Sequence, residues 1–207
     1  QEVGDDLNWC MASGQSTGSR IGVKGTEQIS EGLAVGFVLE HGLNSDTGSD
    51  RDSTRFFDRE SMVQIFSEYG TFAFGRMGVI NSDAGTFGAV NPFGTGWNAL
   101  PGVGGGLFAA PESRMDNMIT YMSPTFAGTT VYAQYSMVQN GQDENKNTAD
   151  RYAALGVNYA NGNLNLAAVV DWVDEAEVPG HTTSQEDMYT INIGGSYNIG
   201  VVKPYLA

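Results

Sequence analysis

Two aromatic runs that read as β-strands are TFAFGR at residues 71–76 and DNMITYM at residues 116–122. The connection between them, 77–113, is rich in glycine and carries Asp83 and Glu112 as its only charges. Connections of this length are uncommon in compact domains and are usually functional or disordered. Its aromatic residues, which argue against disorder, are Phe87, Phe93, Trp97 and Phe108. The pattern therefore predicts a loop that folds back against a wall of other strands.

The composition limits the class of protein. The chain has 207 residues, of which 41% are hydrophobic, and this length is compatible with one all-β domain. No run approaches the roughly 18 apolar residues expected of a membrane-spanning helix. That excludes a helical membrane protein but leaves a membrane β-barrel open, because barrel strands alternate between apolar and polar faces.

The charge and the single cysteine narrow the partners. The net charge is −14 with only 10 Lys plus Arg, so no basic patch is present to bind nucleic acid. Cys10 is the only cysteine, which excludes an internal disulfide and favours a stray loop cysteine. The chain lacks a starting Met and a signal-peptide pattern and ends in the strand-like run VVKPYLA at 201–207. We therefore expect a piece of a longer chain.

Alternation of apolar and polar residues predicts about ten strands. They lie at 19–28, 33–40, 55–67, 71–76, 115–122, 129–137, 152–159, 164–172 and 189–197, with a last strand after 200. Tight turns and long polar loops alternate between them, so one end of the sheet carries only turns. Strands of about 9–11 residues cross a bilayer when tilted.

The two faces of these strands differ in a way that favours a membrane. One face is small and hydrophilic, whereas a soluble barrel needs a packed apolar interior. The other face is apolar and often ends in an aromatic residue, as at a membrane interface. These aromatic residues are Tyr121, Tyr159, Trp172 and Tyr197. We predict an all-β, transmembrane antiparallel β-barrel whose polar interior is a channel narrowed by the loop 77–113.

Several short motifs, in this order, resemble general diffusion porins of the Gram-negative bacterial outer membrane. They are GSRIGVKGTE at 18–27, FDRE at 57–60, YGTFAFGR at 69–76, LPGVGG at 100–105 and YMSP at 121–124. The resemblance implies a homotrimer of 16-stranded barrels in the cell outer membrane, passing small hydrophilic solutes without chemistry or cofactor. Outer-membrane lipid and lipopolysaccharide would surround it. Residues 1–207 would form one partial barrel domain, about strands 2 to 11, and residues 42–54 would latch onto a neighbouring subunit.

The same resemblance assigns the pore residues. The family's pore has a basic cluster on the wall that faces acids on the third loop. By motif, the basic residues are Arg20, Arg59 and Arg114, with Arg76 at the base of the loop. The pore acids are Asp83 and Glu112. Alternation supports Arg20, which shares a face with Gly22 and Lys24, and Arg114, which shares one with Asp116 and Met118. Arg151 is a poorer candidate because its parity matches the lipid-facing residues.

The selectivity stays open between two effects. Where the family often has Pro-Glu, this chain has Pro101-Gly102. An arginine-dominated constriction with few loop acids would prefer anions weakly, since rings of charged side chains set selectivity. The net charge of −14 acts the other way, because acidic mouths attract cations through a long-range field.

Two other functions remain as hypotheses. The run GQSTG at 14–18 matches the G-x-S-x-G motif of serine hydrolases, but that motif needs a helix after it and here a strand follows. An outer-membrane barrel enzyme that hydrolyses lipid or ester is the second hypothesis, and a soluble carbohydrate-binding β-sandwich is the third. His41 and His181 are too sparse for a zinc site. The acids of loop 42–54 lack the spacing of a calcium loop, so we expect no metal and no cofactor.

Overall fold

The chain folds into antiparallel strands joined edge to edge. The computed structural model describes residues 9–14, 17–82, 84–88, 112–137, 150–174 and 187–206. Over these ranges there are eleven strands in one sheet. In chain order they are β1 Arg20–Ser30, β2 Leu33–Asn44, β3 Ser49–Asp50, β4 Glu60–Ser67, β5 Gly70–Gly78, β6 Arg114–Met122, β7 Thr129–Ser136, β8 Arg151–Asn161, β9 Leu164–Asp174, β10 Met188–Tyr197 and β11 Tyr205–Leu206. Within the same ranges, no helix is long and apolar enough to span a membrane.

The strands follow one another across the sheet in chain order. Each strand pairs with the next, except that the short β3 lies beside β2 and off the main path. The tight turns between β1 and β2 and between β8 and β9 contain Gly32 at φ +73° and Gly162 at φ +58°. Glycine adopts these left-handed backbone angles without steric cost, which is why two-residue hairpin turns favour it. The predicted all-β antiparallel architecture is confirmed.

Two predicted strands are shorter than expected. The strand predicted at 55–67 begins only at Glu60, because residues 56–59 form turns and bends and the Asp58 carboxylate accepts the backbone N–H of Gly42 on β2. Side-chain bonds of this kind compete with the β-ladder for backbone groups. The last predicted strand is reduced to Tyr205–Leu206. Pro204 precedes it and cannot donate a ladder hydrogen bond.

The outer face of the sheet is apolar and exposed. Register places Leu155 between Ala133 and Val170 on neighbouring strands, and this row continues to Ile191. Aromatic pairs lie at both ends of the strands on this face. Phe72 packs on Tyr121 with ring centroids 5.0 Å apart, and Trp172 packs on Tyr189 at 6.4 Å. An apolar band bordered by aromatic residues is the pattern expected of a lipid-facing barrel surface.

The inner face is less polar than the sequence predicts. The stretch that follows β5, which we call the loop base (residues 79–82 and 84–88), packs onto this face and buries Val79, Ile80 and Phe87. The apolar residues that meet it on the strands include Met62, Met77, Met115 and Met118. Unbranched, flexible methionine side chains fill irregular gaps of this kind well. Part of the interior is therefore a packed apolar cluster rather than a water-lined wall.

A bulge between β5 and β6 breaks the alternation of strand faces that supported Arg114 as a pore residue. The register shifts between Gly75 and Met77, and Asn117 has φ +52°. As a result Met115 and Met118 are both buried on the inner face. The predicted alternation from Arg114 to Met118 is therefore interrupted, because a bulge adds one residue to one strand between them.

Candidate pore-lining site

A cavity of about 410 Å³ opens where the long connections meet the strands. We call it the arginine cavity. It is lined by Arg51, Asp52, Ser53, Asp58, Arg59, Arg76 and Arg114. Four arginines face two aspartates here, so the lining carries an excess of positive charge. The cavity lies beside the inner face, since Arg59 directly precedes Glu60, whose carboxylate contacts the loop base.

Arg59 is held against the wall by a carboxylate on β2. Its side chain is buried, with 5% of the residue exposed, and its Nε donates to Glu40 Oε1 at 2.5 Å. The same oxygen lies 3.6 Å from Nη1 of Arg20. Arg20 also donates to the carbonyl of Gly18 and the hydroxyl of Thr17. Glu40 thus couples the two arginines, and Arg20 stands next to the cavity without lining it.

Arg76 is fixed by two acceptors from different parts of the chain. Its Nε donates to the backbone carbonyl of Asp58 at 2.7 Å, and its Nη1 donates to Asp116 Oδ1 at 2.7 Å. Arg55 approaches the same carboxylate, with Nη1 at 3.0 Å and 2.8 Å from its two oxygens. Charge-assisted hydrogen bonds are stronger than neutral ones. Asp116 therefore ties the 51–59 connection to β6 and neutralises part of the charge of Arg76.

Arg114 and Arg51 differ from the other arginines of the cavity. Neither forms an ion pair or side-chain hydrogen bond with the residues that the structure describes, and the Nε of Arg114 is buried without a partner. Arg59, Arg76, Glu40 and Glu60 lie within electrostatic range of Arg114. A buried or half-buried cation without a counterion attracts small anions because its charge is poorly screened.

The two aspartates that line the cavity accept hydrogen bonds from nearby residues. The side-chain and backbone donors of Thr54 lower the pKa of Asp52, so this carboxyl is ionised at neutral pH. Asp58 accepts the backbone N–H of Gly42 at 2.6 Å and faces Nδ1 of His41 at 3.6 Å. Both carboxylates thus have partners other than Arg114 and Arg51.

The structure brings three of the six candidate pore residues together: Arg59, Arg76 and Arg114 line one cavity. Arg20 adjoins them through Glu40. Glu112 is exposed and outside the cavity lining, and Asp83 lies outside the described residues. Most of the predicted constricting loop, 77–113, also lies outside them.

Sequence reasoning missed Arg51 and Arg55, together with the wall acids Glu40 and Asp116. Arg51 and Arg55 sit in an acidic connection with no periodicity, so no pattern set them apart. Glu40 could have been found from the antiparallel pairing of β1 with β2. It lies opposite Gly22, which shares a strand face with Arg20.

No group of three metal-ligating side chains occurs in the part of the chain that the structure describes. His41 lies between Asp50, at 3.0 Å from its Nε2, and Asp58. The ring also stacks on Phe56. This arrangement holds the connection after β2 against the rim of the sheet.

Comparison with known proteins identifies the family. The model of the Gram-negative porin family matches residues 8–207. An outer-membrane porin protein of Bordetella pertussis is 34% identical over 206 residues, covering 95% of this chain and 53% of that protein. Outer-membrane porin protein 32 of Delftia acidovorans is 32% identical over 209 residues, covering 97% and 56%. The chain therefore spans about half the length of these relatives.

Solved structures agree with the sheet described above. The anion-selective porin from Comamonas acidovorans superposes with a TM-score of 0.64 at 28% identity, covering 91% of this chain and 56% of that one. OmpT of Vibrio cholerae, at 18% identity and a TM-score of 0.63, shows likeness of fold alone. The inner and outer faces, the strand order and the family match together establish that this chain belongs to the Gram-negative porin family.

Proposed function

We propose that the protein forms a water-filled channel in the outer membrane for passive diffusion of small hydrophilic solutes and ions, with a preference for anions. Family membership supports the channel, and the outer-membrane names of its relatives support the location. One observation carries the anion preference. Two of the four arginines that face the cavity, Arg51 and Arg114, have no carboxylate partner among the described residues.

The net charge of −14 does not cancel this preference at the site. Screening reduces the field of exposed charges within about 8 Å at physiological ionic strength, so distant surface acids act weakly inside the cavity. In the proposed channel, a permeating ion passes next to the arginines that line the cavity. Porin protein 32 of Delftia acidovorans is a relative, and the similar Comamonas acidovorans structure is described as anion-selective.

The test is a single-channel recording of the full-length gene product in a planar bilayer under a KCl gradient. We expect open, ohmic current steps and a reversal potential of the sign that chloride permeation gives. A well-folded protein that produces no steps would contradict the channel, and a potassium-signed reversal would contradict the anion preference alone.

We propose that the protein has no catalytic role. The G-x-S-x-G run at 14–18 is followed by β1, whereas the hydrolase motif requires a helix at that position. Absence of ester or lipid hydrolysis by the purified channel is the corresponding expectation.

We also propose that the channel works as a homotrimer, surrounded by outer-membrane lipid and lipopolysaccharide. Exposed apolar side chains on β1 and β2, among them Ile21, Val23 and Phe37, offer a surface for lipid or for a neighbouring subunit. Deleting residues 45–49 from the latching loop is expected to remove the trimer band on native gels. Current steps would then no longer occur in groups of three. A trimer that survives the deletion would contradict the latch.

A further inference from the structure

We propose that a second, smaller pocket beside the arginine cavity binds a free oxyanion, such as inorganic phosphate, and passes it to that cavity through Arg51. We call it the serine pocket. Its volume is about 170 Å³, and it is lined by Ser13, Gly14, Gly18, Ser19, Leu43, Asn44 and Arg51. The pocket is a feature of this fold, whereas its place at the mouth of a channel rests on the proposed function.

Three serine hydroxyl groups meet at the edge of this pocket. Ser13 Oγ lies 3.0 Å from Ser19 Oγ and 3.2 Å from Ser45 Oγ, and Ser19 Oγ lies 3.2 Å from Ser45 Oγ. The backbone N–H of Ser45 donates to Ser13 Oγ at 2.9 Å and holds the triangle together. A hydroxyl proton rotates to suit its acceptor. Each serine can therefore turn its single proton from a neighbouring hydroxyl to an acceptor inside the pocket.

A guanidinium without an ion pair supplies the charge. Arg51 lines both the serine pocket and the arginine cavity, and it forms no ion pair with the residues that the structure describes. Nearby, Arg20 and Arg59 pair with the same carboxylate, that of Glu40. Asp46, on the connection after β2, is exposed, so water and salt screen its charge. The surroundings of the pocket therefore favour an anion.

Gly18 makes room for the guanidinium group of Arg51. A Cβ added at this position would overlap Nη1 of Arg51 and lie 3.2 Å from Nη1 of Arg59. The carbonyl of Gly18 accepts a hydrogen bond from Nε of Arg20 at 3.0 Å. Three guanidinium groups thus surround one residue that has no side chain. Glycine permits this close approach, and the approach places Arg51 between the serine pocket and the arginine cavity.

The donors and the size of the pocket fit a small oxyanion. Arginine binds phosphate and carboxylate oxygens in pairs through its planar fork of N–H groups. The serine hydroxyls add further single donors, and a tetrahedral anion has enough oxygens to accept from both sets. A water molecule occupies about 30 Å³ in the liquid, so the pocket has room for one phosphate with a few waters. Because Arg51 also lines the arginine cavity, we assign the pocket to a free anion and not to the phosphate of a lipid headgroup.

The test uses the full-length protein and two measurements. Isothermal titration calorimetry in detergent measures the binding of inorganic phosphate at fixed chloride concentration. Planar-bilayer recording measures how far the same phosphate concentrations reduce the single-channel chloride current. We expect saturable binding and a chloride current that falls as the pocket fills. Calorimetry detects the pocket whether or not the protein conducts.

Three variants change the pocket, and a fourth is the matched control. Arg51→Gln removes the charge, and Ser19→Ala removes one hydroxyl. Gly18→Ala keeps every charge and hydroxyl but displaces the guanidinium of Arg51, and alanine fits the backbone there because Gly18 has no left-handed φ. The control is Ser123→Ala, whose hydroxyl bonds backbone groups at the β6–β7 turn, at the other end of the strands.

We expect the dissociation constant of phosphate to rise about tenfold in Arg51→Gln, since charge-assisted hydrogen bonds are the stronger ones. It should rise about threefold in Ser19→Ala, which loses a single hydrogen bond, and at least as much in Gly18→Ala. The phosphate concentration that halves the chloride current should shift by the same factors. Ser123→Ala should match the wild type. If Gly18→Ala fails to fold, Ser19→Ala still decides the outcome.

The outcomes separate the pocket from the channel. A silent wild-type protein that binds phosphate with these variant effects contradicts the channel and supports the pocket. Unchanged phosphate affinity in both Ser19→Ala and Gly18→Ala overturns the pocket, even where Arg51→Gln weakens binding, because positive charge alone would then explain the effect. A short-chain phosphatidic acid that displaces inorganic phosphate at lower concentration would assign the pocket to a lipid headgroup and overturn the free anion.

Discussion

Replacing Arg114 with glutamine is expected to lower the chloride-to-potassium permeability ratio of the channel about fivefold at low salt. A unit charge about 4 Å from a permeating ion contributes roughly 1 kcal/mol in water, and about 1.4 kcal/mol corresponds to a tenfold change. Because Arg114 forms no direct ion pair with the described residues, less of its charge is neutralised than that of Arg76 or Arg59. The permeability ratio follows from reversal potentials of single channels at 0.01 M and 1 M KCl, about 30 Å and 3 Å in Debye length.

Three matched variants decide whether the arginine cavity, rather than the net charge of the protein, determines the chloride-to-potassium permeability ratio. Arg151→Gln makes the same change on β8, whose parity places residue 151 on the outer face, and should leave the ratio unchanged. Arg76→Gln should have a smaller effect than Arg114→Gln, because Asp116 already neutralises part of the charge of Arg76. Arg114→Lys keeps the charge and should retain most of the preference. Equal effects of Arg151→Gln and Arg114→Gln would place the selectivity outside the cavity.

The strands could be predicted because each face has one environment. Residues such as Leu155, Val157 and Val170 alternate with inner residues along β8 and β9, and the exposed and buried rows follow that period. The tight turns carry glycine where the backbone needs it, as at Gly32 and Gly162. Period and turn chemistry are local properties, so one sequence suffices to read them.

The site could be predicted only in part because its pairs join distant segments. Arg55 and Asp116 are 61 residues apart, and Arg59 and Glu40 are 19 apart. No local pattern marks such partners. The bulge at Asn117 also escaped prediction, since a left-handed φ at a single non-glycine residue leaves no periodic signal. Resemblance to the family identified four of the arginines, Arg20, Arg59, Arg76 and Arg114. Only the fold shows that the first three form ion pairs and that Arg114 forms none with the described residues.

Replacing Leu155 with arginine is expected to destabilise the folded protein by about 2–4 kcal/mol in lipid, the cost of a cation on the lipid face at the bilayer midplane. Leu155 lies at the middle of β8, on the outer face, and is 59% exposed. In a soluble protein the same exposed position would tolerate the change within about 0.5 kcal/mol, because water solvates the guanidinium. The measurement is reversible denaturant unfolding in lipid vesicles, compared with wild type.

The matched control is Leu164→Arg, the same exchange on the same face at the turn end of β9. There the side chain reaches the interface, and the expected cost is about 0–1 kcal/mol. A large difference between the two positions is a dependence on depth, which only a bilayer around the outer face produces. Equal and small costs at both positions would contradict a membrane-spanning barrel, and with it the reading of the exposed apolar row from Ala133 to Ile191 as a lipid surface.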